Sequence, residues 1–208
     1  MFTWHEPVEF LGYLDEDDPK LNSYDRRSEA YGKNYIGPRL PLGPAYQFLY
    51  EKCKGDIVMM CADDVVFKNK GWDTKVKEAM PKDLIGVVSC NELVPGRRED
   101  GHPFIGRKFI ELMGYICYPQ LKHSCVDSWV RDVATGAGRF FYLPDVHIEH
   151  VHPKFQKGEW DDTYRENTKD IQKADGDVYR HGRQEIKQAI MRVNTYLNEN
   201  KLVHRLGQ

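Results

Sequence analysis

Five consecutive apolar residues, Ile57-Val58-Met59-Met60-Cys61, stop abruptly at Ala62-Asp63-Asp64. The run is too short for a free-standing helix and has no polar position. It therefore reads as a strand, residues 56–61, covered on both faces. A strand of that kind belongs to a sheet with helices layered against it. The rest of the chain agrees. Residues 8–14 and 84–90 are further apolar strand runs, 35–36 is a short one, and strands are expected at 140–143 and 146–150. Helical patterns fall between them at 44–54, 72–80, 107–113 and 126–137, with Gly55 and Pro81 as stops. Residues 91–103, rich in Gly, Pro and charge, read as a loop. Short strands alternating with helices predict an α/β domain.

The 208 residues suit one domain, residues 1–158, followed by a polar helical extension, residues 159–208. In the extension Ile186, Ile190, Val193 and Leu197 form one apolar stripe, which is expected to pack on the domain. Lys and Arg number 30 against 32 Asp and Glu, a net charge of −2. That balance excludes a protein that coats nucleic acid by bulk charge, but leaves nucleic acid open as a substrate. No apolar run reaches the roughly 18 residues of a membrane span, and the first residues lack a signal-peptide pattern, so a cytoplasmic protein is expected. Five cysteines without a close C-x-x-C pair read as reduced thiols, with Cys61 and Cys90 buried in the sheet.

Several groups can carry chemistry. Asp63 and Asp64 close the apolar strand, where open α/β sheets bind their ligands. Adjacent carboxylates repel unless a cation compensates them, and hard divalent ions bridge carboxylates to phosphates. A turn or helix-cap role is the plain alternative. His147, His150 and His152 lie close together, and strand alternation places His150 and His152 on one face. Asp127 stands at a helix start, as a cap or as a general base. The acidic turn Asp15-Glu16-Asp17-Asp18 follows a strand end. Arg39, before the helix start at Gly43-Pro44, suits a diphosphate, although the segment is not a P-loop.

Together these stretches resemble the family-2-like glycosyltransferases of GT-A fold, in particular the small bacteriophage-type versions. The resemblance runs through Gly55-Asp56-Ile57-Val58-Met59-Met60-Cys61-Ala62-Asp63-Asp64, Asp127-Ser128-Trp129, Tyr142-Leu143-Pro144-Asp145 and Glu149-His150-Val151-His152-Pro153. It implies a Rossmann-like GT-A fold: a mixed, mostly parallel sheet flanked by helices, with a helical C-terminal tail. It also implies a nucleotide-sugar donor, a UDP-sugar first, and Mn²⁺ or Mg²⁺. The family's Asp-x-Asp motif falls on Cys61-Ala62-Asp63, so its first carboxylate is replaced by Cys61. Asp63 is then the expected metal ligand, joined by His150 or His152, with Asp64 in support. Asp127 falls at the acceptor-activating base. Asp15, then Asp17, falls at the nucleobase contact, with Arg39 or Lys33 adding charge at the diphosphate. The family's first strand has no match, since residues 8–14 correspond to the second.

The resulting expectation is metal-dependent transfer of a sugar to an acceptor hydroxyl with inversion. Phe104 and Trp129 are candidates for stacking on sugar or base, with core packing an equal alternative. A modified DNA base and a cell-surface glycan are both open as acceptor, and a homodimer is open too. Two rivals stand beside this reading. One is a GT-A-like module that binds nucleotide or glycan without turnover. The other is a metal-dependent hydrolase.

Overall fold

The computed structural model describes residues 7–23, 32–94, 101–151 and 169–206. His152, the end of the His cluster, lies outside the described residues, as do residues 95–100 of the expected loop and 159–168 of the tail.

Strands β1 (Phe10–Asp15) and β2 (Gly32–Gly37) pair in parallel from Phe10 opposite Gly32 to Asp15 opposite Gly37. Helix α1 (Leu42–Lys52) follows, then β3 (Ile57–Met59), β4 (Val65–Phe67), α2 (Trp72–Ala79), β5 (Val87–Asn91), β6 (Phe104–Gly106), α3 (Arg107–Met113), α4 (Val126–Gly136), β7 (Phe140–His150), α5 (Lys169–His181) and α6 (Arg183–Leu206). The main sheet has the order β3-β6-β5-β7-β4. Strands β3, β5 and β7 run one way, and β6 and β4 run against them. Among the described residues β1 and β3 share no ladder. An apolar cavity of about 890 Å³ lies between them, lined by Leu11, Tyr46, Val58 and Trp72 among others.

Strand alternation splits the core in two. Val87 and Ile105 point into one layer with Phe109, Met113, Trp129 and Val133. Val88 and Phe104 point into the other with Trp72, Val76, Val146 and Ile148. Burial on both faces is why Val87, Val88, Cys90, Phe104 and Ile105 are apolar, with only the small Ser89 among them inside β5. Phe104 and Trp129 are core residues, which corrects their candidacy for ligand stacking. Trp129 stacks on Tyr118 at 3.9 Å between ring centroids and donates from its indole N–H to the Tyr115 hydroxyl at 3.1 Å.

The sequence reading has no strand at β4 or β6, and two further elements differ from it for local reasons. The two strands expected at 140–143 and 146–150 are one strand, β7, carrying an irregularity. Cys90 sits opposite Leu143, but Asn91 sits opposite His147, so Pro144, Asp145 and Val146 are skipped by the register. Proline has no N–H to give a ladder, and an extra-residue bulge is where a strand tolerates it. The strand expected at 56–61 ends at Met59, so Cys61 is exposed at its end rather than buried; Cys90 is buried. All five cysteines are free thiols.

The apolar stripe of α6 faces this core: Ile186 and Val193 are buried, and Ile190 and Leu197 pack beside them. The turn between α5 and α6 presses on α4 at Gly182, where a Cβ would sit 2.5 Å from the Trp129 ring and 2.9 Å from the Val178 carbonyl oxygen. Gly182→Val is therefore expected to destabilise the fold by about 1–3 kcal/mol through overpacking. The check is a lower urea midpoint with an unchanged slope.

Candidate functional site

The site begins where β3 ends. After Met60, the turn Ala62-Asp63-Asp64 reverses the chain into β4, and α2 starts only at Trp72. The aspartate pair is thus a strand-to-strand turn and not a helix cap. Strand β4 pairs antiparallel with the second half of β7, placing Val65 opposite His150. The Val151 N–H donates to the Asp64 carbonyl at 2.8 Å. This ladder brings the Asp64 carboxylate Oδ2 to 3.1 Å from His150 Nε2.

Two buried residues join them from the loop between β5 and β6. The Glu92 Oε1 atom accepts from the His102 backbone N–H at 3.0 Å and lies 2.9 Å from His102 Nδ1. Its second oxygen lies 4.0 Å from His150 Nδ1. The two imidazoles meet edge to face with centroids 4.7 Å apart. Asp64, His102 and His150 each offer one ligand atom within 4.8 Å of the others. Neither Glu92 nor His102 was singled out in the sequence, because ten residues separate them in a loop and no spacing pattern links them to Asp64. Asp63 lies on the same turn, exposed and outside this trio.

The electrostatics follow from that crowding. Desolvation pulls the His150 pKa down, but the hydrogen bond and charge of Asp64, with the charge of Glu92, outweigh it and leave it raised. Although Cys61 keeps an exposed face, desolvation of its thiol by the surrounding protein, then the charges of Asp64 and Asp63, push it up to about 12, so it is uncharged where the family pattern has a carboxylate. Burial raises Tyr46 well above its ordinary value, and Cys61, Cys117, Asp64 and Asp127 add to the rise. Tyr46 of α1 therefore stands among groups from both sides of the site.

Asp127 is the second residue of α4. The cap position belongs to Cys125, in the left-handed region at φ 64°, with no side-chain cap bond. Burial raises the Asp127 carboxyl pKa against the lowering by the Ser128 N–H and Arg131, and the nearby Glu92 raises it further. The strap before α4 is held from two directions. Asp175 of α5, 2% exposed, accepts from the backbone N–H groups of Lys122, His123 and Ser124 at 3.0, 2.8 and 2.7 Å. The Lys122 carbonyl in turn accepts from the Gly43 N–H of α1 at 2.9 Å.

Asp15, Asp17 and Arg39 form a second group at the ends of β1 and β2. Arg39 donates to Asp17 at 3.1 Å and lies 3.8 Å from Asp15, and Asp15 accepts from the Leu40 N–H at 3.3 Å. Arg39 is thus paired with the two acids rather than projecting alone. Lys33 lies over the Tyr35 ring.

No protein-family model matches the sequence, and no curated protein sequence matches it. Solved structures do. The mannosyltransferase PcManGT from Pyrobaculum calidifontis, in complex with GDP-Man and Mn²⁺, is 12% identical with a TM-score of 0.54, over 94% of this chain and 70% of that one. The catalytic domain of Drosophila β1,4-galactosyltransferase 7, in complex with xylobiose, is 11% identical with a TM-score of 0.43, over 76% of this chain and 78% of that one. The chain has the mixed α/β fold of GT-A-type glycosyltransferases.

The strap yields a prediction independent of any reaction. Asp175→Ala leaves three part-buried backbone donors without their acceptor. It is expected to cost at least about 1–3 kcal/mol in urea denaturation. Amide exchange should accelerate first at Lys122, His123 and Ser124.

Proposed function

We propose that the chain is a metal-dependent glycosyltransferase that moves a sugar from a nucleotide-diphosphate sugar to an acceptor hydroxyl with inversion. The observation that carries this is the Asp64–His102–His150 trio, set beyond the carboxyl end of β3 on a GT-A fold. Asp127, whose carboxyl pKa desolvation raises, is taken as the base. Two imidazoles and a carboxylate are a donor set that fits a divalent ion. Such an ion, when bound, supplies charge that stabilises the departing diphosphate. Asp15, Asp17 and Arg39 are assigned to the nucleoside end of the donor. Asp127 accepts the acceptor hydroxyl proton as that oxygen bonds to the anomeric carbon. The anomeric carbon–phosphate oxygen bond breaks on the opposite side, and its electron pair leaves with the nucleoside diphosphate. The structural neighbour was solved with GDP-Man, so guanosine donors belong in the screen beside the UDP-sugars expected from the sequence.

One observation favours a second reading. Cys61 supplies a neutral thiol where the family pattern has its first carboxylate, which weakens the donor's hold and suits a module that binds without turnover. The two separate by experiment. Calorimetric titration with UDP-glucose and GDP-mannose, with and without Mn²⁺, is expected to show metal-dependent binding that Asp64→Ala abolishes. Release of nucleoside diphosphate in the presence of acceptors is then expected for the transferase alone. Release without acceptor would favour a hydrolase.

The Asp127→Asn variant sharpens the assignment. It is expected to retain donor binding and to lose transfer by about 10²–10⁴-fold, the usual contribution of a general base. Because burial raises the Asp127 pKa, the acid limb of the wild-type pH profile should lie above the ordinary carboxylate range. The sign for stability is opposite to that of a salt-bridged acid. A carboxyl pKa raised on folding means that the buried anion costs free energy at neutral pH, and the cost vanishes as pH falls through the folded pKa. Asp127→Asn is therefore expected to raise the urea midpoint at pH 7 while removing activity.

A further inference from the structure

We propose that His102 is the third protein ligand of a pre-built two-histidine, one-carboxylate site, oriented by Glu92. This site takes a transition ion of the Zn²⁺, Co²⁺ and Mn²⁺ class without nucleotide and discriminates against Mg²⁺. The proposal deepens the transferase reading and rests on it only for what fills the remaining coordination positions.

The donor set comes first. Mg²⁺ demands near-octahedral oxygen ligands and keeps much of its water, whereas imidazole nitrogen suits the later divalent ions. Two of the three groups converging here are imidazoles, His102 and His150, and one is the Asp64 carboxylate. A four-coordinate site with bonds of about 2.1 Å sets its ligand atoms about 3.4 Å apart. The three atoms already lie within 4.8 Å of one another, so small side-chain shifts complete the shell. Three protein ligands leave positions open, as catalytic metal sites require.

Orientation comes second. The Glu92 carboxylate at 2.9 Å from His102 Nδ1 fixes the proton on that nitrogen and leaves the Nε2 lone pair for a metal. The same oxygen also holds the His102 backbone N–H, so ring and main chain are pinned by one group. Carboxylate–histidine–metal relays have this arrangement. The side chains of both residues are almost fully buried, at 4% and 6% exposure. A histidine serving only as a loop staple has no need to face a second histidine and an aspartate.

The test uses the full chain, stripped with chelator and free of nucleotide. Co²⁺ titration followed by visible absorption, and Mn²⁺ titration followed by loss of the free-ion EPR signal, are each expected to saturate at one ion per chain. Stoichiometric Zn²⁺, which is diamagnetic, should move one ring nitrogen NMR signal of both His102 and His150 to the metal-bound position. Mg²⁺ should compete with Mn²⁺ at least roughly a hundredfold less well, in line with the donor set. Glu92→Gln is expected to weaken binding by about 10–100-fold, as other outer-sphere carboxylates do, and His102→Ala by at least as much. The wild-type NMR and Mg²⁺ competition keep the proposal falsifiable if either variant fails to fold. A metal-bound nitrogen signal at His150 alone, equal competition by Mg²⁺, or unchanged affinity in folded His102→Ala would each overturn it. Ion binding with these signatures but no affinity for any nucleotide sugar would leave this proposal standing and remove the transferase reading. Donor binding supported equally by Mg²⁺ would do the reverse.

Discussion

The ladder between β4 and the second half of β7 is the constraint on which the site depends. It lasts three residue pairs, yet it sets Val65 against His150 and so Asp64 against the His150 ring. It exists because β7 changes partners midway. Its first half runs parallel to β5, the register then skips Pro144 to Val146, and the strand continues against β4. A proline in a central strand would ordinarily cost a ladder hydrogen bond. Here it falls in the irregularity that redirects the strand, and the site forms just beyond it.

The surroundings of Asp127 are built from much farther away in sequence. Asp127 owes its place to a strap whose backbone donors are gathered by Asp175, a residue of the C-terminal helices. Tyr179 and Arg183 add to this by binding Asp132 of α4 at 2.6 and 2.8 Å. Successive N–H groups converging on one carboxylate make an anion-binding nest, and here the anion belongs to the protein itself. The helical extension thus takes part in the architecture around Asp127 as well as covering the core. The part-buried carboxylate of Asp127, its pKa raised by desolvation, is unfavourable for folding at neutral pH, and in the proposed reaction it would accept a proton. That opposition is common where a site is held in place by the rest of a fold.

Some of this was determined by the sequence alone. The largely apolar runs at 57–61 and 84–90 announced a sheet buried on both faces, because side chains alternate across a strand and both layers must be dry. The helix Arg107–Met113 and the start of α4 at Val126 follow from local apolar periodicity and appear with those bounds. The residues of the strand-end turn, Asp127 and His150 were visible as chemistry near the ends of elements. Other features only the tertiary structure decided. Which of Asp63 and Asp64 meets His150 depends on the direction of a turn and on a register across 85 residues, and neither leaves a local pattern. Glu92 and His102 looked like polar loop residues because their meaning lies in a contact with each other and with His150. Asp175 looked like any acid on a polar helix until three backbone donors converged on it. Periodicity reports which face of an element is buried. The identity of the groups that meet there is set by ladder register and chain crossing, which are properties of the whole fold.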